Sequence, residues 1–261
     1  MGQQQPTEAH RNVALRVMDE VIRLGQYVRL GRIVFSYHFV KLAGNCIDYR
    51  DGIIEQRVAR LMSRRILEVL KMKVSVEGRQ HARDIELDRY AVASNHLSYL
   101  DWVVILAEFP NSVSFIAKRL VTLMPVFGSY LRNRGVLIDR RKGATARSII
   151  RDAAKSSPWP LLIFPEGTRS PDGELKPFKR AGVRILAEEG LKLLPIVLLG
   201  TFAALGKHDR AIRKGRRLHM IILPPIDPAV LGIDEACNEL ERVIDVEAAA
   251  PGERAPARAE P

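Results

Sequence analysis

Short apolar runs that do not alternate with polar residues constrain this chain most. Leu161 to Phe164 is four consecutive apolar residues, Leu194 to Leu199 is a further run of the same kind, and Leu218 to Leu223 is another broken only by His219. A strand with one wet face alternates, whereas a run without alternation belongs to a strand covered on both faces. Ala91 to Ala93, Ser114 to Ala117 and Val136 to Ile138 are shorter runs, and Val74 and Val76 alternate with Ser75 and Glu77. Between these lie stretches with helical periodicity. Ile53, Val58, Leu61, Met62, Ile66, Leu67 and Leu70 give an apolar stripe over 52–72. Leu100 to Phe109 stops at Pro110, Thr145 to Lys155 before Pro158-Trp159-Pro160, and Ala181 to Glu189 at Gly190; Asp234 to Val246 reads as the last helix. The expected fold is α/β: a mixed, largely parallel, covered sheet with flanking helices. At 261 residues the chain can bury a core of that size without staples.

The charge is lopsided. Forty-one Lys and Arg against thirty Asp and Glu give +11, which suits an anionic partner: nucleic acid, a bilayer surface or a phosphate-bearing substrate. Nucleic acid is disfavoured, because there is no zinc-finger spacing or recognition-helix pattern, and aromatic residues are only 6%. Cys46 and Cys237 are too few for a disulfide framework or a four-thiolate metal site, and the six histidines show no ligand spacing. No glycine fingerprint for a dinucleotide or a P-loop follows any strand, and there is no G-x-S-x-G nucleophile. Neither a metal nor a permanently bound cofactor is therefore expected.

No secretory signal is visible at the start, and Pro6 stands where a myristoylation signal wants Ser or Thr. The segment from Leu30 to Ile47 is interrupted by Arg32, His38 and Lys41, which disfavours a spanning helix. Val13, Val17, Val21, Leu24 and Val28 recur at helical spacing with Arg16, Arg23 and Arg29 between them. Such a helix can lie flat on an anionic membrane or pack on its own domain, and periodicity does not choose.

Three polar blocks follow apolar runs. Asn95-His96-Leu97-Ser98-Tyr99-Leu100-Asp101 sits where a strand gives way to a helix. With Asp101 in the first turn and His96 just before it, the carboxylate can hold Nδ1–H and leave Nε2 as a base. Taken alone, a capping Asn beside a surface His and an ordinary Asp would read the same way. Phe164-Pro165-Glu166-Gly167-Thr168-Arg169-Ser170 ends a buried strand with groups suited to a phosphate, Arg169 as a fork and Gly167 for close backbone approach. Arg134-Gly135-Val136-Leu137-Ile138-Asp139-Arg140 ends in a charged pair, Arg140 serving either a phosphate or Asp139.

In this order the blocks resemble those of the PlsC-type glycerolipid acyltransferases, which include the lysophosphatidic acid acyltransferases. Asn95 to Asp101 is similar to that family's N-H-x-x-x-x-D block, Gly135 to Arg140 to its second, Glu166 to Ser170 to its third, and Leu194-Pro195-Ile196-Val197 to its fourth. Lys118 followed by Pro125-Val126-Phe127-Gly128 is also in the family's style, although Val136-Leu137 stand where an aromatic is common. The resemblance runs from about Val76 to Pro225. It implies transfer of a fatty acyl group from acyl-CoA or acyl carrier protein to the sn-2 hydroxyl of 1-acyl-sn-glycerol-3-phosphate, giving phosphatidic acid. Another lysolipid, a lyso-ornithine lipid or glycerol-3-phosphate are the alternative acceptors. It implies His96 as general base and Asp101 as its orienting acid, with Glu166 and Arg169 placing the glycerol phosphate. Lys118 and Arg140 would add to the anion site, and Gly167 and Thr168 would shape its floor.

The resemblance also implies a monotopic N-terminal helical membrane anchor on the cytoplasmic face (of the inner membrane in a bacterium). The expected organisation is a flexible 1–10, membrane-associated amphipathic helices over 11–72, an α/β acyltransferase domain over 73–247 and a disordered tail over 248–261. The expected partners are a lysophospholipid, the acyl donor and an anionic membrane surface.

Overall fold

The computed structural model describes Val28, Gly31, Arg32 and residues 53–83, 89–123, 127–139 and 141–249. Of the membrane-associated helices expected over 11–72, residues 53–72 are described and pack Ala59, Leu67, Leu70 and Met72 into the core of the domain. The rest, Cys46 included, lie outside that set, apart from Val28, Gly31 and Arg32, which are helical; so do Pro125, Val126, Arg140 and residues 250–261.

Among the described residues seven strands form one sheet in the order β1-β7-β6-β2-β5-β3-β4. They are β1 Lys73–Glu77, β2 Tyr90–Ser94, β3 Ser114–Lys118, β4 Val136–Ile138, β5 Leu161–Ile163, β6 Lys192–Leu199 and β7 Arg217–Ile222. Every neighbouring pair is parallel except β6 and β7. The longer helices are α1 Ile53–Val69, α2 Asp101–Glu108, α3 Phe127–Arg134, α4 Gly143–Ser156, α5 Arg180–Glu188 and, after two one-turn helices at Thr201–Ala204 and Pro228–Leu231, α6 Ile233–Ala249. The last helix runs two residues into the segment expected to be tail.

The covered sheet read from the apolar runs is present. Tyr90 and Val92 of β2, with Leu194, Ile196 and Leu198 of β6, face a core shared with α1, α2 and α3. Ala91 and Ala93, with Leu193 and Val197, face a second core shared with α4, α5 and α6. Both faces of the central strands are therefore dry, which is why those strands lack polar alternation.

Helix α1 buries Gln56, Ala59, Ser63 and Leu67, while Leu61 of the expected stripe is 65% exposed. Small residues let it sit close to α2. Its Arg60 donates through Nη2 to the carbonyls of Phe109 and Pro110 at 2.7 and 2.8 Å, and Arg64 Nε to Ala107 O at 3.1 Å. These guanidiniums satisfy carbonyls that the end of α2 leaves without helical partners.

The chain leaves β2 through α2, over one face of the sheet, and reaches β3. It leaves β5 through α5, over the other face, and reaches β6 on the far side of β2. Adjacent strands whose connections depart in opposite directions open a crevice at their carboxyl ends. The first and third polar blocks of the sequence meet in that crevice.

Candidate active site

β2 ends at Ser94, and the next residue extends its pairing with a side chain. Asn95 Nδ2 donates to Leu198 O at 2.9 Å, and Leu198 N donates to Asn95 Oδ1 at 2.8 Å. The fully buried amide thus clips the site loop to β6. The His96 backbone is then held from the third block: its N–H donates to Glu166 Oε1 at 2.6 Å, and its carbonyl accepts from Ser170 N at 2.9 Å.

Asp101 is the first residue of α2 and is completely buried. Its Oδ2 lies 2.8 Å from each of His96 Nδ1, Leu97 N and Ser98 N. A carboxylate in the first turn is favoured by the helix dipole. An acceptor-only carboxylate also requires the proton of neutral His96 on Nδ1, so Nε2 is the basic lone pair. Ser98 closes the turn, donating from Oγ to Leu205 O at 2.6 Å and accepting from Leu100 N at 3.0 Å. The imidazole stacks on Phe164, centroids 4.1 Å apart and planes 17° from parallel. It is thus fixed on one edge by Asp101 and on one face by Phe164.

His96 borders a cavity of about 300 Å³ whose walls include Trp102, Phe115, Ile116, Val121, Phe127 and Phe164, with Lys118, Gly167, Thr168 and Arg169 at its polar side. Gly167 adopts φ 73, a left-handed turn that suits glycine, and its N–H donates to Phe164 O at 2.9 Å. The Arg169 guanidinium lies 3.2 Å from the ring centroid of Tyr99, and burial holds its pKa below the ordinary arginine value. A wider groove of about 1240 Å³ continues past Lys118, Gly167 and Thr168 to Arg119, Arg141, Lys142 and Lys179.

The structure therefore brings His96, Asp101, Lys118, Gly167, Thr168 and Arg169 to one crevice. Glu166 is directed elsewhere. It is 1% exposed, and its two oxygens accept from His96 N and from Lys176 N, the latter at 3.2 Å. Its carboxylate braces the loop behind the cavity instead of lining it; a negative charge facing a phosphate would repel it. Burial pushes this carboxyl up to about 7 despite the two donors.

Sequence reasoning left four site residues without roles: the Asn95 clip, the Ser98 turn closure, the Phe164 stack and the Tyr99 platform. Asn95 carried a signal, since an amide at a strand end can mimic the next peptide. The other three depend on contacts across the crevice. Among the described residues no group of three or more His, Cys, Asp or Glu could hold a metal ion.

The acyltransferase family model, described as "Acyltransferase", matches residues 73–199. A Limnanthes douglasii protein named 1-acyl-sn-glycerol-3-phosphate acyltransferase is 28% identical over 185 residues, covering 69% of this chain and 64% of that one. A Cocos nucifera protein of the same name is 31% identical over 154 residues, covering 58% and 49%. This chain thus spans less than two thirds of the length of either relative. The crystal structure of the 1-acyl-sn-glycerophosphate acyltransferase PlsC from Thermotoga maritima superposes with a TM-score of 0.73 at 24% identity, over 87% of this chain and 95% of that one, and so shares the fold. With its first and third sequence blocks meeting at the switch point of the sheet, the chain is similar to the PlsC-type acyltransferases, and its residues 73–199 match the acyltransferase family model.

Proposed function

We propose that the protein transfers a fatty acyl group from an acyl thioester, acyl-CoA or acyl carrier protein, to the sn-2 hydroxyl of 1-acyl-sn-glycerol-3-phosphate. The products are phosphatidic acid and the free thiol. One observation carries the reading: an imidazole locked by a buried carboxylate opens onto an apolar cavity with a guanidinium at its polar side.

His96 Nε2 takes the proton of the acceptor hydroxyl as its oxygen attacks the thioester carbonyl. Asp101 stabilises the imidazolium that forms. The tetrahedral intermediate then collapses with cleavage of the carbon–sulfur bond. The thiolate leaves and recovers the proton from His96, so the enzyme returns to its starting state. No side-chain nucleophile is needed, because the lipid alcohol attacks directly. Arg169, its guanidinium carbon over the Tyr99 ring, offers its fork to the acceptor phosphate, with Lys118 and Arg140 adding positive charge. Gly167 and Thr168 shape the wall beneath, while Glu166 acts on the backbone of His96. The aromatic cavity takes an acyl chain.

On this reading the chain works at the cytoplasmic face of a membrane. Residues 11–52 serve as the monotopic anchor, 1–10 and the residues beyond 249 as flanking tails, and α1 with the sheet as the acyltransferase domain. Among the described residues no helix is long and apolar enough to cross a membrane. Arg169 together with the cationic groove favours a phosphate-bearing acceptor over a lyso-ornithine lipid. Glycerol-3-phosphate remains the second reading within the class.

The test is acyl transfer to lysophosphatidic acid in mixed micelles with each donor, followed by thiol release. His96→Ala should fold as the parent does and lose at least about 10²-fold in kcat, the low end for a positioned general base. Parent-like turnover in that variant would remove the mechanism. Glycerol-3-phosphate and lyso-ornithine lipid run alongside test the acceptor.

A further inference from the structure

The turn that follows β3 holds two leucines out to solvent. Arg119–Leu123 is a single 3-10 helix with no buried residue, in which Leu120 is 75% and Leu123 77% exposed. With three residues per turn, positions i and i+3 share one side, so the two side chains make one apolar ridge. The ridge has a rigid base. Thr122 O accepts from Arg132 Nη1 at 2.6 Å, and Thr122 Oγ1 donates to Arg119 O at 2.7 Å. A Cβ on Gly128 would run into the Thr122 carbonyl, so glycine there lets α3 press directly against the turn. The backbone is thus fixed where its leucines cannot fold inward.

Two further observations say what covers the ridge. Leu120 also borders both the His96 cavity and the adjoining groove, so whatever receives the ridge sits at the cavity mouth. The groove beside it is lined by Lys118, Arg119, Arg141, Lys142 and Lys179, and the one carboxylate among its described residues, Asp139, is bonded to Arg141 at 3.1 Å. Apolar side chains ringed by cations match the boundary between acyl chains and anionic headgroups. A second copy of the chain matches poorly, because symmetric pairing would bring like charges together.

We propose that the Leu120–Leu123 ridge inserts into the headgroup boundary of an anionic bilayer, with the surrounding Lys and Arg on lipid phosphates. The cavity mouth then opens at the depth where a lysolipid hydroxyl lies. The purpose of this contact rests on the acyltransferase reading; its geometry does not.

Two arms test it on the full chain. In the first, Leu123→Trp is mixed with phosphatidylcholine–phosphatidylglycerol vesicles carrying mid-chain bromines. Its emission should be quenched well beyond that of the parent, whose tryptophans are Trp102 and Trp159. In the second, Leu123→Ser should lose about tenfold in kcat/KM on lysophosphatidic acid carried in the same vesicles, the scale of returning one leucine to water. It should keep parent turnover of a short-chain acceptor dissolved below its micelle concentration. Absence of extra quenching overturns the proposal. So does an equal loss on both acceptors, or a loss confined to a carrier-protein donor, which would assign the ridge to a protein partner. If the chain lacks acyl transfer altogether, the quenching arm still decides whether the ridge enters lipid.

Discussion

Asp101→Asn isolates the electrostatic part of the proposed proton transfer. The substitution keeps size and shape and removes one negative charge. In the parent, Oδ2 faces Nδ1 of His96 at 2.8 Å inside a fully buried site. Imidazolium and carboxylate charge centres about 4 Å apart attract by about 4 kcal/mol at an effective dielectric of about 20. A neutral amide oxygen in the same place recovers about 1 kcal/mol as an ordinary hydrogen bond. The difference, about 3 kcal/mol, is felt only when His96 is charged and therefore falls on the transition state. It predicts a loss of about 10²-fold in kcat with KM changed less than about threefold. Asn also places an NH₂ where Oδ1 is buried without a protein partner, so stability should fall by about 1–3 kcal/mol. The assay is thiol release under saturating donor, with urea unfolding on the same preparations. A folded variant that keeps more than a fifth of parental kcat would refute the reasoning, and so would a rise in KM at constant kcat.

Three further outcomes follow from the same geometry. Asn95→Ala strands the N–H and carbonyl of Leu198 in a dry interior and should cost about 2–4 kcal/mol in urea unfolding. Arg169→Lys keeps the charge but gives up the planar fork held over Tyr99, and should raise KM for a phosphate-bearing acceptor about tenfold without altering donor KM. The third concerns Glu166, whose carboxyl is pushed from an ordinary 4.5 to about 7. The folded chain then holds the extra proton between those values. Stability from the neutral form is complete below about pH 4.5 and is lost as pH rises through about 7. The span corresponds to about 3 kcal/mol. Unfolding midpoints at pH 5 and pH 8 should therefore differ more in the parent than in Glu166→Gln, and equal differences would contradict this account.

The strands were legible because burial on both faces leaves a plain trace in Leu161 to Phe164 and Leu194 to Leu199. The His96–Asp101 contact was legible because five residues and a helix start define the distance between them. Helix α3 was not. No element is expected from the sequence over 127–134, because the helix rests on Phe127 and Tyr130 packing on Phe115, a tertiary contact that local preference does not show. The apolar stripe expected over 52–72 is buried at Leu67 and Leu70 but not at Leu61, for a related reason. Close approach to α2 selects Ala59 and Ser63 and leaves the bulkier Leu61 outside. The direction of Glu166 depends on two backbone N–H groups, one of them 70 residues earlier in the chain, and periodicity carries no record of such pairs.

The Asn95 clip has a thermal consequence. A reactive imidazole on an ordinary loop can drift while the rest of a protein stays intact. Here the residue before it is stitched into a central strand. Warming should therefore leave catalytic competence nearly untouched until β6 itself lets go, and the two should vanish in one cooperative step.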